Sequence, residues 1–192
     1  MSRFIRVFAL MLALLLAGGA LSEDIYYGSW PAEDVYLTQT VKHTCTLIAC
    51  TMMLRNCACQ ADVDYGPVTD AAVERKGWTK QYGLSHSFTV EGMEVACSDA
   101  IRTAPDKKQY LIECLRQHPE GVVIYDTGAP HAIWLFGYDA GGDIFWCADT
   151  IKSRGGHEMP LVATSIQGRT QQDKVNTIDK IWYVAAARRS AL

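Results

Sequence analysis

Cys45 is the cysteine best placed to act as a reactive nucleophile. Residues 45–56 have the periodicity of a helix, with apolar side chains on one face at Leu47, Ile48 and Leu54. The N-terminus of a helix carries partial positive charge and free N–H donors, and both stabilise a thiolate. Taken alone, Cys45 fits equally well as half of a disulfide or as a small buried residue.

His131 and Asp149 could complete a site around that thiol. A nucleophilic cysteine needs a general base, and the base needs an acceptor that fixes its ring. His131 opens one predicted strand and Asp149 closes the next. A hairpin centred on Gly141 places residue 151 opposite His131, so that Asp149 is its diagonal neighbour on the same face. This register requires a three- or five-residue connection or a bulge, because a two-residue turn moves Asp149 to the other face.

Gln39 lies shortly before Cys45, close enough for its side-chain amide to donate to an oxyanion. Residues 39–45, 130–139 and 145–150 together resemble the papain-like peptidases of the bacteriocin-leader-processing type and their free-standing secreted relatives. The resemblance spans about residues 36–150. It implies a papain-like fold in which Cys45 attacks, His131 is the base, Asp149 orients the imidazole and Gln39 helps to hold the oxyanion.

Three residues depart from that family's pattern. Thr44 stands where relatives usually have an acidic residue, Thr46 where they have glycine, and Thr150 where they have proline. These differences bear on substrate class and on activity. No segment resembles the transporter to which leader-processing enzymes are fused, so maturation of a bacteriocin during export is not implied.

Other histidines and aspartates compete for the same roles. His43 is too close to Cys45 in the chain to face it and is better suited to tuning the thiolate, and His86 is a further alternative base. His157 lies in a glycine-rich loop. Asp139 and Asp143 fall at the tip of the predicted hairpin, far from the His131 end.

The remaining cysteines favour disulfides over a metal site. The chain has seven cysteines, an odd number that leaves at least one thiol unpaired. We therefore expect Cys45 to be free and at least one bridge to form among the other six. Cys57 and Cys59 could supply half of a zinc site, but no second pair follows at ligand spacing. No metal or cofactor is predicted.

The N-terminal segment has the layout of a secretory signal peptide. Arg3 and Arg6 precede an apolar run over residues 7–17, and small residues allow cleavage after Ala20 or Ser22. A membrane span needs about 20 apolar residues, and acidic residues interrupt this run too early. We assign residues 1–20 to the signal and 23–192 to a single exported domain without stable membrane insertion.

The charge of the chain gives no electrostatic support for binding to nucleic acid. The whole sequence has 18 basic and 21 acidic residues, a net charge of −3. Removal of Arg3 and Arg6 with the signal leaves an excess of five acidic groups. Proteins that bind nucleic acid usually carry a basic surface instead. A peptide or protein substrate is the expected partner.

The order of elements predicts an α+β domain. Helices are expected over residues 45–56, 69–76 and 105–118, and strands over residues 87–90, 122–125, 131–138, 144–148 and 181–185, with residues 162–166 as a further candidate strand. Residues 23–38 are predicted to form an extended arm with one short strand. A central N-terminal helix packed on a C-terminal antiparallel sheet is the expected architecture.

Three functions fit the sequence. The first is an exported thiol hydrolase that cleaves a peptide or amide bond. The second is a peptidoglycan-type amidase or transferase on the same fold, since one fold hosts several reactions. The third is a secreted, disulfide-stabilised binding module in which Cys45 is oxidised.

Overall fold

A computed structural model describes residues 25–151 and 157–187. The predicted signal peptide and both candidate cleavage positions lie outside these residues. The described residues form an α+β fold with four α-helices and a large antiparallel sheet. None of the described helices is long and apolar enough to cross a membrane.

The helices are α1 (Cys45–Gln60), α2 (Asp70–Gly77), α3 (Lys107–Gln117) and α4 (Gln171–Thr177), with short 3-10 turns at Glu33–Val35, Ala100–Thr103 and Leu161–Ala163. Side-chain caps define three of the starts. Thr69 accepts a hydrogen bond from the backbone of α2, Asp106 does so for α3, and Thr170 forms a capping box with Asp173 at α4.

The strands are β1 (Tyr26–Gly28), β2 (Trp78–Thr79), β3 (Gly83–Leu84), β4 (Ser87–Val90), β5 (Met93–Ser98), β6 (Val122–Asp126), β7 (His131–Asp139), β8 (Ile144–Asp149), β9 (Glu158–Pro160) and β10 (Lys180–Ala187). The main sheet has the order β4-β5-β10-β6-β7-β8-β9, and β1 pairs with the end of β7 that extends beyond β6. Strands β2 and β3 form a separate small hairpin.

Both faces of the sheet are covered. Helices α1 and α2 pack on one face, where Trp134, Phe136 and Ala148 point toward the buried side chains of α1. On the other face, Ile133 and Leu135 join a second core with Leu111 of α3 and other residues. Alternate residues of β7 therefore enter different cores, as the two-residue period of a strand requires. Helix α1 is buried almost all round because it lies between the sheet and α2.

The β7–β8 hairpin has the register that the sequence predicted at its functional end. Asp149 pairs with Ile133 and Ala148 with Trp134. At the other end Asp139 pairs with Ile144, so the connection has four residues and would by itself give a register shifted by one. A bulge between Leu135 and Gly137 removes this shift, because an extra residue on one strand changes the pairing by one.

Several predicted elements agree with the structure and others do not. The helix starting at Cys45, the strand over residues 87–90 and the short strand in the N-terminal arm are confirmed. The candidate strand over residues 162–166 is wrong, since Pro160 precedes a 3-10 turn there. Strand β5 and helix α4 were not predicted. The capping box Thr170-x-x-Asp173 was the available signal for α4.

Candidate active site

Cys45 is the first residue of α1, and the backbone N–H groups of Thr46 and Ala132 are near enough to its sulfur to lower the pKa of the thiol. The N-cap residue Thr44 does not compete for the helix donors, because its hydroxyl donates to the carbonyl of Val41 at 2.7 Å. The free donors of the first helical turn therefore remain available near the thiol, where they stabilise negative charge.

His131 stands between Cys45 and Asp149. Its Nε2 lies 3.0 Å from Oδ1 of Asp149, and its ring is close enough to the thiol of Cys45 for each group to shift the pKa of the other. Because Nε2 is engaged with Asp149, Nδ1 is the nitrogen left for Cys45. Cys45 belongs to the helix layer on one face of the sheet, whereas Asp149 shares the opposite face with Ile133. As the first residue of β7, His131 can reach both.

The contacts of Cys45 favour its thiolate. Burial raises the pKa of the thiol, but hydrogen bonds from His131 and from two backbone N–H groups outweigh burial and lower the pKa below its usual value. Cys45 differs in this respect from the other six cysteines, all of which the structure describes. Burial raises the pKa of every one of them, to about 11 for Cys57 and Cys97.

The pKa of His131 is shifted in the matching direction. Burial lowers it, but the hydrogen bonds to Asp149 and Cys45 and the negative charges of both raise it to about 9. The pKa of Asp149 falls to about 2, because hydrogen bonds from His131 and Ser165 outweigh its burial. The three shifts act in the same sense, toward a thiolate beside an imidazolium with a carboxylate behind it.

Ser165 is a site residue that the sequence reasoning missed. Its hydroxyl and its backbone N–H donate to Oδ2 of Asp149 at 2.5 and 2.6 Å. Buried Lys174 fixes this loop by donating to the carbonyl groups of Thr164 and Ile166 on either side of Ser165. Ser165 lies on a loop with no period or motif that relates it to Asp149, so the sequence offered no signal for the contact.

Gln39 is held at the same end of the sheet, through the residue that follows Asp149. The backbone N–H of Gln39 donates to the carbonyl of Thr150 at 2.7 Å, and the Thr150 hydroxyl donates to Oε1 of Gln39 at 3.1 Å. These bonds occupy the side-chain oxygen and the backbone N–H of Gln39, and the side-chain amide nitrogen is the donor that they do not use. Within the described residues, Gln39 contacts Thr150, and no bond to Cys45 is observed.

The three departures from the family pattern all have partners in the structure. Thr44 closes the turn before α1, as described above. The hydroxyl of Thr46 accepts a hydrogen bond from the indole nitrogen of Trp78 at 3.0 Å, which ties the start of α1 to β2. Thr150 fixes Gln39. Each of the three threonines thus makes a specific contact that helps to position the start of α1 or Gln39.

A cavity of about 750 Å³ opens beside Cys45. One wall is formed by the β2–β3 hairpin and the residues that follow it, and the opposite wall by Tyr125, Lys180 and Trp182 at the adjoining ends of β6 and β10. Tyr125 and Trp182 make an edge-to-face contact with ring centroids 6.0 Å apart. The cavity is large enough to accept a peptide side chain next to the thiol.

The rival residues do not take part in the Cys45–His131–Asp149 contacts. His43 adopts a positive φ of 68° in the turn before α1 and, like His86, lines the cavity. His157 is exposed. Asp143 forms an ion pair with Lys108 at 2.6 Å, and Asp139 accepts from the backbone of Gly141; both lie at the hairpin tip.

The expected disulfide is absent, and that prediction is wrong for this structure. All seven cysteines are free. Cys50 and Cys147 are buried in separate cores on the two faces of the sheet, which keeps them apart. Cys57 and Cys59 are two positions apart on α1, and such residues do not face each other. Among the described residues, no group of three or more potential ligands could hold a metal ion.

The comparisons with known proteins give no relative. No protein-family model matches the chain, and neither a curated protein nor a solved structure matches it.

Proposed function

We propose that this protein is an exported thiol hydrolase with a papain-like fold, which cleaves a peptide or amide bond. The observation that carries the proposal is the position of His131, whose Nε2 lies 3.0 Å from Oδ1 of Asp149 and whose ring interacts with the thiol of Cys45 so that the pKa of both groups shifts. A nucleophile, a base and an orienting acceptor in this order are what covalent acyl transfer requires. The lowered pKa of Cys45, against six thiols with raised pKa values, supports the choice of nucleophile.

The reaction follows from these positions. The Cys45 thiolate attacks the carbonyl carbon, and the electron pair of the C=O bond moves to oxygen. Backbone N–H groups at the start of α1 and the Gln39 amide are the proposed donors to this oxyanion. Collapse of the intermediate breaks the C–N bond, and His131 gives its Nδ1 proton to the leaving amine. Water, deprotonated by His131, then hydrolyses the thioester and restores Cys45.

Asp149 orients His131 in this scheme and stays ionised throughout. Its low pKa, about 2, and its four hydrogen-bond donors keep the charge in place. The carboxylate therefore fixes the ring so that Nδ1 faces the sulfur, and it stabilises the imidazolium.

Turnover of a diverse pool of unstructured peptides by the purified exported protein tests the proposal. We expect cleavage that Cys45→Ala abolishes and that Cys59→Ala, which removes another partly exposed thiol, leaves unchanged. A thiol-directed irreversible probe should label Cys45 and stop the reaction. No cleavage by the wild-type protein, or cleavage that persists in Cys45→Ala, would contradict the proposal.

A further inference from the structure

The cavity beside Cys45 has a charge opposite to that of the chain as a whole. Its lining includes two lysines, Lys80 and Lys180, together with His43 and His86, and it includes no aspartate or glutamate. The chain has more acidic than basic residues, with a net charge of −3. A cavity lined only by neutral and basic side chains therefore differs in charge from the chain as a whole. We call this cavity the lysine groove.

Lys180 is positioned by its surroundings. It pairs with Tyr125 across β10 and β6, and its ammonium lies 5.7 Å from the centroid of the Trp182 ring. A cation at this distance is attracted to the face of an indole. Lys180 and Lys80 form no ion pair with any described carboxylate. Both ammonium groups therefore remain available to a ligand.

Carboxylates do occur behind the walls of the lysine groove. Asp126 is buried and accepts from the backbone of Gly128 at 2.8 Å, and Asp179 accepts from the hydroxyl of Thr127. Neither side chain lines the groove. They reduce the positive potential near Tyr125, but they do not offer a carboxylate to a ligand in the groove.

The second lysine also has acidic neighbours on its far side. Lys80 borders a smaller cavity that Asp70 and Glu74 share. No ion pair joins them within the described residues. Lys180 is consequently the stronger determinant of the charge in the groove, with Lys80 in a supporting position.

We propose that the lysine groove binds an acidic side chain of the peptide substrate, close to the bond that Cys45 attacks. The aromatic wall of Tyr125 and Trp182 packs against the apolar stem of that side chain, and the lysines contact its carboxylate. This inference rests on the proposed hydrolase function and adds the substrate class: peptides with Asp or Glu near the scissile bond.

A set of peptides that differ at one residue tests the inference. Each peptide carries Glu, Gln or Lys at a single position, scanned on both sides of a bond that the wild-type protein cleaves. We expect the Glu peptide to have the highest kcat/KM at one or more positions and the Lys peptide the lowest. Lys180→Gln should reduce the preference, measured as kcat/KM for the Glu peptide divided by kcat/KM for the Lys peptide, about 2- to 5-fold. This is the size expected for one charge at close range in a partly solvated site. Lys80→Gln should reduce it less.

Lys76→Gln is the matched control, because it removes the same charge from an exposed position on α2 that does not line the groove. It should leave the preference unchanged. Equal kcat/KM values for the Glu, Gln and Lys peptides would overturn the groove inference and leave the hydrolase function standing. Absence of cleavage for every peptide would instead contradict the hydrolase function.

A second measurement tests whether the lysine groove attracts carboxylates, and it does not require peptide cleavage. Iodoacetate and iodoacetamide alkylate the same thiol and differ in charge. We expect the rate with iodoacetate divided by the rate with iodoacetamide at Cys45 to be about 2- to 5-fold lower in Lys180→Gln than in wild type. In wild type, this ratio should also fall with added salt. Lys76→Gln should behave as wild type. A ratio that is the same in wild type and Lys180→Gln would show that the groove does not attract carboxylates and would overturn the inference.

Discussion

The carboxylate of Asp149 accepts four hydrogen bonds, from the His131 ring, the Ser165 hydroxyl and the backbone N–H groups of Ile151 and Ser165. Asp149 is fully buried, so every one of these donors replaces a lost water contact. The ring of His131 is held by a carboxylate that is itself immobilised. Ser165 therefore contributes to the geometry at the sulfur without touching it.

Ser165→Ala should destabilise the protein by about 1–3 kcal/mol at pH 7, because it removes a hydrogen bond to a buried charge. The effect should depend on pH. The pKa of Asp149 is about 2 in the folded state, below its ordinary value of 3.8. Its charge thus stabilises the fold above pH 4, and this stabilisation is lost as pH falls toward 2.

The measurement for Ser165 is denaturant unfolding of wild type and Ser165→Ala at pH 7 and near pH 2, with Ser165→Thr as the variant that keeps the hydroxyl. The difference in free energy between wild type and Ser165→Ala should shrink at the lower pH. A difference that is equal at both pH values would show that the hydroxyl does not act on the charge of Asp149.

Substitution of Gln39 should lower kcat and leave the pKa of the Cys45 thiol unchanged. An oxyanion donor acts on charge that develops in the transition state, and loss of one donor costs about 10²- to 10³-fold in kcat. We expect Gln39→Ala to show such a loss, with an unchanged pH profile of Cys45 alkylation. Peptide kinetics and alkylation rates on the same preparation give both values. A shifted alkylation profile, or an unchanged kcat, would remove Gln39 from the oxyanion site.

At the scale of elements, the bulge in β7 decides which face Asp149 occupies. The four-residue connection and the bulge have opposite effects on register, and together they align Asp149 with Ile133. The register was predicted here by assuming that His131 and Asp149 share a face. Gly137 in the strand interior was a local signal for the bulge that this reasoning did not use. The alignment followed from the chemistry assigned to the two residues, not from β-propensity.

The start of α1 was predictable because helical periodicity marks it strongly, and Cys45 is its first residue. The supporting contacts could not be predicted. The hydrogen bonds between Thr46 and Trp78, Gln39 and Thr150, and Ser165 and Asp149 join residues that are distant in the chain. Such pairs depend on tertiary packing, which no period or spacing encodes. The lysine groove was hidden for the same reason, since its lysines belong to distant segments.

Strand β1 should be sensitive to substitution of Gly137. The strand pairs with β7 there, and a Cβ at Gly137 would overlap the hydroxyl end of Tyr26. We expect Gly137→Ala to displace β1 and to destabilise the protein by about 1–3 kcal/mol. Gly137 lies toward the far end of β7 from His131, about 20 Å along the strand. Alkylation of Cys45 under native conditions should therefore be unchanged.

Denaturant unfolding and the alkylation rate of Gly137→Ala check this prediction, with Gly128→Ala as a control in a loop outside the β1–β7 pairing. Wild-type stability in Gly137→Ala would contradict the close packing of Tyr26. A changed Cys45 rate would show that the two ends of β7 are not independent.

At the scale of the whole molecule, two cores on opposite faces of the sheet hold the fold together without cross-links. A chain of this length buries enough apolar surface to be stable in this way. We expect the free energy of unfolding to be the same with and without reductant. Mass mapping of the purified protein under non-reducing conditions should find seven free thiols. A bridge that includes Cys45 would favour a non-catalytic binding module.

The central claim is that His131 stabilises the thiolate of Cys45. The direct test is the rate of Cys45 alkylation against pH, with the label mapped to the residue, in wild type and His131→Ala. Wild type should react at pH values where an ordinary thiol does not, because its pKa is lowered. His131→Ala should move the profile to higher pH, with about a tenfold loss of rate below the pKa for each unit of pKa regained. Profiles that superimpose would show that His131 does not sense the thiolate and would contradict the proposed site.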